Sequence, residues 1–330
     1  MHSHQKVLIK GLSLGFCRMI ALLALSYCSW VVADVYPHKS VRVVVPFGPG
    51  GGSDITARMF SQKLSEAFNQ QFVVDNRGGA GGLIGMEITA KSQPDGYTLM
   101  MMSASFAATS ALHQPSWDPI KNIIPVVQFG TTPFVLVAHP SVKANTVKEF
   151  IALAGSKSNS LTYASTGLGG ITHLATELLM DMTKTKMVHV PYKSTGAAII
   201  DVLAGQAPIM VASMLPVVPH IQAGKLRGLA VTTVKRWYSL PEIPPLAETV
   251  PGYNVELWFG VMAPRGTPAS VIKAVNAAIN KSIDSTEVKK TLDKDGMIAA
   301  GGSPDQFGKR IITDYTNWVK VIKAANISVN

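Results

Sequence analysis

The stretch VRVVVPFGPGGGSD, residues 41–54, contains a strand, a glycine-rich loop and the start of a helix. The valines predict a buried strand. After the loop, apolar side chains recur at a helical spacing, at Ile55, Met59, Phe60, Leu64 and Phe68. The glycines leave backbone N–H groups free to face a ligand, and the helix N-terminus adds a partial positive charge. The loop is therefore predicted to bind an anionic group.

Residues 1–33 are predicted to form a cleaved signal peptide. Lys6, Lys10 and Arg18 precede an apolar stretch from residue 19 to 32, and Ala33 precedes the expected cleavage point. This stretch is too short to span a bilayer. The mature chain is expected to begin at Asp34 and to reach the periplasm. A lipid anchor on Cys28 is the alternative, although the bulky Tyr27 stands where a small residue is normally needed.

The composition of the mature chain excludes several functions. Cys17 and Cys28, the two cysteines, both lie in the leader, so no disulfide, thiolate metal site or cysteine nucleophile is expected. The leader also holds three Lys and Arg residues and no acid, so the net charge falls from +10 to +7. The basic residues are scattered, which argues against nucleic-acid binding and favours small anionic ligands. The histidines are too widely spaced for a local metal pair, and no metal or cofactor is predicted.

Strands and helices alternate along the mature chain and predict an α/β fold with two lobes. The alternation starts at Val41 and restarts after residue 146. Two long apolar strands, Val126–Ala138 and Val255–Ala263, are interpreted as crossings between the lobes that together form a hinge. One lobe is predicted to contain residues 34–131 and 256–330, and the other residues 132–255. Because ligands of open α/β sheets bind beyond the carboxyl ends of the strands, a cleft is expected between the lobes.

Nucleotide-binding motifs are incomplete. No Lys-Ser or Lys-Thr follows the glycines of residues 48–52, so this is not a phosphate-binding P-loop. The glycines of residues 79–85 have the spacing G-x-G-x-x-x-G, and no acid for a ribose ends the next strand. Ser165, in Tyr-Ala-Ser-Thr-Gly, occupies a strand-to-helix turn like a nucleophile elbow, but a tyrosine replaces the first glycine. Ser165 is interpreted as a hydrogen-bond donor, and an exported hydrolase that uses it is the alternative.

Four residues have two readings each. Asp54 is either an acid of the first helical turn or a contact for a ligand donor. His173 is either structural or directed at a ligand. Trp258 and Phe259 belong either to the core or to the wall of the cleft.

Several strings resemble the Bug family of extracytoplasmic solute receptors, which are associated with tripartite tricarboxylate transporters. They run in order from Tyr36 almost to the C-terminus, and include Pro46-Phe47-x-x-Gly50-Gly51-x-x-Asp54, Asn76-Arg77-x-Gly79-Ala80-Gly81-Gly82, Pro94-Asp95-Gly96-Tyr97-Thr98-Leu99, His189-Val190-Pro191-Tyr192-Lys193, Pro219-His220-Ile221 and Trp258-Phe259-Gly260. The resemblance implies a periplasmic binding protein of type II, a monomeric Venus flytrap without catalytic activity. It implies capture of a small carboxylate for a membrane permease, with a sensor protein as the other possible partner.

Family members hold the carboxylate through the loop that corresponds to residues 46–54 and through loops of the second lobe. The ligand-binding residues predicted on this basis are Phe47, Gly48, Pro49, Gly50, Gly51, Gly52, Ser53, Asp54, Ser103, Ser105, Phe106, Ser165, Thr166, Gly167, Leu168, Gly169, Thr172, Tyr192, Ala212, Ser213 and Phe259.

The chain departs from the family pattern at three places, each with a loss of polarity. Ser105-Phe106 replaces a common Thr-His, Leu168 replaces an asparagine, and Ala212-Ser213 replaces a frequent Asp-Asn. The loss of an acid at position 212 removes a partner for a ligand ammonium group. These changes predict an aromatic or short aliphatic acid as the ligand, rather than citrate or an amino acid.

Overall fold

A computed structural model describes residues 36–113, 115–156, 161–294, 296–325 and 327. The predicted leader, residues 1–33, lies outside the described residues. Lys39–Asn330 form one unit, which contains all the strands and helices of the described residues. Among the described residues, no helix combines the length and the apolar character needed to cross a membrane.

Ten strands form the sheet of the described residues. They are β1 (Val41–Val45), β2 (Phe72–Asn76), β3 (Thr98–Ser103), β4 (Ile123–Ala138), β5 (Thr162–Ser165), β6 (Val188–Pro191), β7 (Ile209–Ser213), β8 (Arg227–Val231), β9 (Glu256–Pro264) and β10 (Ile298–Ala299).

Helices pack against the strands of this sheet, as in other α/β folds. They are α1 (Gly52–Phe68), α2 (Leu83–Ala90), α3 (Ser105–His113), α4 (Pro119–Asn122), α5 (Val147–Ser156), α6 (Ile171–Thr183), α7 (Thr195–Leu203), α8 (Met214–Gln222), α9 (Ala269–Asp284), α10 (Thr286–Lys294) and α11 (Pro304–Ala324). Short 3₁₀ turns add Ala80–Gly82 and Leu246–Glu248.

The strand order is β2-β1-β3-β9-β4-β7-β5-β6, with β8 and β10 also paired to β4. Strands β2, β1 and β3 are parallel, and so are β7, β5 and β6. The long strands β4 and β9 run antiparallel to their neighbours. The sheet is therefore mixed, with parallel strands at each end and the antiparallel strands β4 and β9 between them.

Strands β4 and β9 connect the two lobes of a binding-protein fold, as the two apolar stretches predict. From Ile123 to Pro133, β4 pairs with β9 in the first half of the sheet. From Phe134 to Ala138 it pairs with β7 in the second half. A single strand thus changes partners between adjacent residues. The predicted residue bounds of the lobes remain a prediction.

Each lobe has its own apolar core. In the first lobe Phe60 of α1 stacks on Phe129 of β4, with ring centroids 4.0 Å apart. In the second lobe a buried cluster includes Val135, Met210 and Val217. The crossing strand β4 therefore contributes side chains to both cores, Phe129 to one and Val135 to the other.

Candidate functional site

The glycine-rich loop after β1 leads directly into the N-terminus of α1. Gly50 has a positive φ of 79°, which favours glycine, and Gly51 is the extended N-cap residue. The first turn of α1 begins at Gly52 and Ser53, which line a cavity between the lobes together with Gly51. N–H groups of this turn that have no partner within the helix therefore lie at the cavity.

Asp54 uses its buried carboxylate to hold this loop together. Its Oδ2 accepts hydrogen bonds from Gly50 N at 3.1 Å and from Arg58 Nε at 3.1 Å, and its Oδ1 accepts one from Asn76 Nδ2 at 3.0 Å. Burial alone would raise the pKa of Asp54, but these hydrogen bonds, with Arg58 first among them, lower it below the usual value. The contacts match the reading of Asp54 as an acid of the first helical turn, and the residue lies off the cavity wall.

Among the described residues, five helices begin at the cavity. Besides α1, the wall includes Ser105 at the start of α3, Ile171 and Thr172 at the start of α6, Thr195 at the start of α7, and Ser213, the N-cap residue of α8. Each N-terminus carries a partial positive charge and unpaired N–H donors. Because several of them face one small space, the cavity suits a negatively charged ligand without any cationic side chain.

The rest of the cavity wall is apolar. Phe47, Phe134, Ile171, Leu257 and Phe259 line a narrow cavity of about 30 Å³. Among the described residues that line it, none has an ionisable or amide side chain. The site combines hydroxyl and backbone donors with aromatic walls.

About half of the predicted ligand-binding residues lie on this wall. They are Phe47, Gly51, Gly52, Ser53, Ser103, Ser105, Thr166, Thr172, Ser213 and Phe259. Phe259 lines the cavity and Trp258 does not, because adjacent residues of a strand face opposite sides. Trp258 instead donates from Nε1 to Asp314 Oδ2 at 2.7 Å, within the first lobe.

The remaining predicted residues lie off the wall, namely Gly48, Pro49, Gly50, Asp54, Phe106, Ser165, Gly167, Leu168, Gly169, Tyr192 and Ala212. Phe106 and Ala212 are fully buried in the cores of their lobes. Tyr192 donates from its hydroxyl to Asp201 Oδ2 at 2.6 Å. Of the family departures, only Ser105 and Ser213 therefore face the cavity.

Sequence reasoning missed four lining residues. Phe134 and Leu257 lie on the crossing strands, which are buried on both faces and show no alternation that would indicate which side faces a cleft. Ile171 starts α6, and its apolar side chain gives no sign of a binding site in the sequence. Thr195 could have been found, because it follows the carboxyl end of β6 and starts a helix.

Ser165 is buried beneath the loop at residues 166–170. Its Oγ lies 2.6 Å from His189 Nε2, 3.3 Å from Gly167 O and 3.1 Å from Gly167 N, which donates to it. His173 Nδ1 accepts a hydrogen bond from Gly169 N at 3.2 Å. The two imidazoles stack with centroids 4.2 Å apart. Ser165, His173 and His189 thus position the loop.

Burial keeps both imidazoles neutral. It lowers the pKa of His173 to about 3, with further lowering from His189 and His113, and it lowers the pKa of His189 to about 4. The contact with Gly169 N requires a neutral His173, because Nδ1 must be unprotonated to accept that hydrogen bond.

The lobes contact each other beside the cavity through backbone groups. Gly48 N donates to Lys193 O at 3.1 Å. Thr109 of α3 donates from Oγ1 to Gly81 O at 2.8 Å and lies 3.4 Å from Gly169 O across the cleft. His113 Nε2 lies 3.2 Å from Leu168 O. The glycine-rich loops therefore also allow close approach of the two backbones.

Two lobes joined by a pair of crossing strands, with a cavity of helix N-termini between them, define the class of hinged solute-binding proteins. A family model for the tripartite tricarboxylate transporter family receptor matches residues 56–327. The chain belongs to this family, which confirms the resemblance.

Relatives agree with this assignment over most of their length. Protein BugT of Bordetella pertussis is 35% identical over 297 residues, which cover 89% of this chain and 91% of BugT. The structure of R. palustris Rpa4515 with adipate is 34% identical, with a TM-score of 0.85 and coverage of 89% and 99%. The structure of the periplasmic binding protein BugD is 28% identical, with a TM-score of 0.85 and the same coverage.

Proposed function

We propose that this protein is a periplasmic receptor that captures a small organic carboxylate between its lobes and delivers it to the permease of a tripartite tricarboxylate transporter. The observation that carries the proposal is the convergence of five helix N-termini on a cavity whose described lining residues bear no charge. Such a site compensates a carboxylate through backbone and hydroxyl donors. The adipate complex of the relative at 34% identity supports a carboxylate as the group that is recognised.

The proposal includes export and a non-catalytic role. The signal peptide is expected to be cleaved after Ala33, and the mature chain is expected to act as a monomer. The placement of Ser165 argues against an exported hydrolase, because its fully buried hydroxyl is engaged with His189 and Gly167 beneath the loop and lies off the cavity wall. A nucleophile must instead reach the bound substrate.

Calorimetric titration of the mature chain, residues 34–330, tests carboxylate binding. Each acid is compared with its own carboxamide, which has nearly the same shape and no charge. We expect the acids to bind and the amides to fail. Binding of an amide as tightly as its acid would contradict the proposal.

Catalysis and delivery need separate measurements. Mass spectrometry of ligands and their esters after incubation is expected to return every compound unchanged, whereas ester loss that Ser165→Ala abolishes would establish the hydrolase. Delivery is tested by uptake of labelled solute into cells that contain a permease of this transporter class, with and without the receptor. Uptake that does not depend on the receptor would remove the transport role and favour sensing.

A further inference from the structure

One buried side-chain oxygen in the described part of the cavity wall has no hydrogen-bond partner. The Oγ of Ser213 is buried and makes no hydrogen bond among the described residues, and only 4% of the residue is exposed. It lies against Gly52, where an added Cβ would collide with it. A buried hydroxyl without a partner destabilises the fold, so its retention on the wall of a binding site points to a ligand atom.

The surroundings of Ser213 favour a carboxylate oxygen as that atom. Ser213 is the N-cap residue of α8, and it adjoins the first turn of α1 at Gly52. Thr195, at the start of α7, lies beside Gly51, since a Cβ added there would be 3.4 Å from Thr195 Oγ1. The unpartnered hydroxyl therefore lies at the N-termini of α8 and α1, and the N-terminus of α7 adjoins that of α1.

Three other side-chain oxygens of the wall, those of Ser103, Thr166 and Thr172, already make hydrogen bonds. Thr166 Oγ1 lies 2.9 Å from Thr172 Oγ1, which also accepts a hydrogen bond from Thr166 N at 2.9 Å. Ser105 N donates to Ser103 Oγ at 3.4 Å. A second carboxylate placed here would have to displace these contacts, and no cationic side chain on the described wall would compensate its desolvation.

The space beside Ser213 is apolar. Phe259 Cζ lies within 2.9 Å of the position of a Cβ added at Gly52, next to the hydroxyl. Phe47, Phe134 and Leu257 complete this side of the wall. A flat ring or short alkyl chain attached to the carboxylate would contact these side chains.

We propose that the cavity selects an acid with a single carboxylate and an apolar body, and that Ser213 donates its hydroxyl proton to that carboxylate. The proposal rests on the function proposed above and assigns its ligand class. It gives Ser213, rather than an arginine or lysine, the role of the side chain that recognises charge.

Calorimetric titration with matched pairs tests the ligand class. 4-Methylbenzoate is compared with terephthalate, and hexanoate with adipate, so that each pair differs by one carboxylate. We expect the monocarboxylate of the preferred pair to bind at least about 10-fold more tightly, since a second buried charge lacks a partner. Equal or tighter binding of the dicarboxylates would overturn this inference while leaving the receptor function intact. Failure of all four acids would count against the receptor function itself.

Ser213→Ala tests the role of the hydroxyl. Removal of an unpartnered buried hydroxyl is expected to raise the melting temperature of the ligand-free protein. The same change should lower monocarboxylate affinity by about 10-fold to 100-fold, the range for a hydrogen bond to a charged group. These opposite signs are specific to a ligand contact.

Ser61→Ala is the matched control. Ser61 is also buried with an unpartnered Oγ, but it lies in the third turn of α1, off the cavity wall. This variant is expected to gain stability with unchanged affinity. If Ser213→Ala also leaves the affinity unchanged, Ser213 does not contact the ligand and the proposed role is wrong.

Discussion

Gly81 of the first lobe lies directly against Gly170 of the second. A Cβ added to Gly81 would be 2.6 Å from Gly170 N and 2.8 Å from Leu168 O. Both distances are far below van der Waals contact, and both involve backbone atoms that cannot rotate away. The two lobes can therefore reach this arrangement only with glycine at position 81.

Gly81→Ala is expected to prevent the lobes from closing. Each lobe keeps its own core, so the variant should fold, but its ligand affinity should fall by at least about 10-fold because the cavity walls no longer meet. Small-angle scattering measures the change in the radius of gyration on ligand addition, and calorimetry measures the affinity. We expect the ligand-dependent decrease in radius to disappear.

Gly224→Ala is the control for Gly81→Ala. Gly224 has nearly the same backbone conformation, with φ of 67° against 63° for Gly81, but a Cβ added to Gly224 would meet no other atom within 4 Å. Both variants therefore carry the same backbone strain, of about 1 kcal/mol. Equal losses of affinity in the two variants would show that strain, and not the contact between lobes, limits binding.

Asp54 is expected to contribute to the stability of the fold rather than to ligand binding. Asp54→Ala removes the acceptor for Gly50 N, Arg58 and Asn76, and should lower the free energy of unfolding by about 2 kcal/mol, measured by urea denaturation. Asp305→Ala, at an exposed acid in the first turn of α11, should change it by less than about 0.5 kcal/mol. Unchanged stability with lost affinity would instead favour a direct ligand contact of Asp54.

The sequence was most informative where structure is local. The unit from Val41 to Phe68 could be predicted because strand pattern, glycines and helix period lie within one short stretch. The crossing strands β4 and β9 could be recognised from their unusual apolar length. The short motifs shared with the Bug family then indicated the fold, which the match to the receptor family and the BugD structure confirm.

Side-chain direction was the part that sequence could not give. Ser165 and Thr166 are adjacent, yet only Thr166 faces the cavity, because the turn after β5 directs Ser165 towards His189. Ala212 and Ser213 differ in the same way, one facing the core and the other the ligand site. The role of Gly81 depends on a residue 89 positions away, which no local pattern records.

The two stacked histidines predict an acid-sensitive fold. In the unfolded chain an imidazole titrates near pH 6.5, whereas His173 and His189 in the folded chain have pKa values of about 3 and about 4. Between about pH 6.5 and pH 4 the unfolded state binds more protons, so the free energy of unfolding falls as the pH falls. Each histidine contributes at most about 1.4 kcal/mol per pH unit. Glu177, whose pKa is raised by burial, acts with the opposite sign just above pH 4.5.

Two measurements check this prediction. Histidine ring signals in NMR titrations should show His173 and His189 neutral from pH 8 down to pH 5, which is independent of Glu177. Urea denaturation of His189→Asn should give a shallower loss of stability with acid than the unmodified protein. Titration of either ring above pH 6 would contradict the neutral, buried arrangement that holds the loop.

Adjacent substitutions on β9 should separate stability from binding. Trp258→Phe removes the hydrogen bond to Asp314 and leaves a gap beside Phe307, so it should lower the free energy of unfolding by about 2 kcal/mol with little change in affinity. Phe259→Leu removes an aromatic wall of the cavity and should lower affinity by about 5-fold, at a smaller cost in stability. Urea denaturation of both variants measures the free energy of unfolding, and calorimetry measures the ligand affinity. The reverse pattern would mean that Trp258, rather than Phe259, faces the ligand.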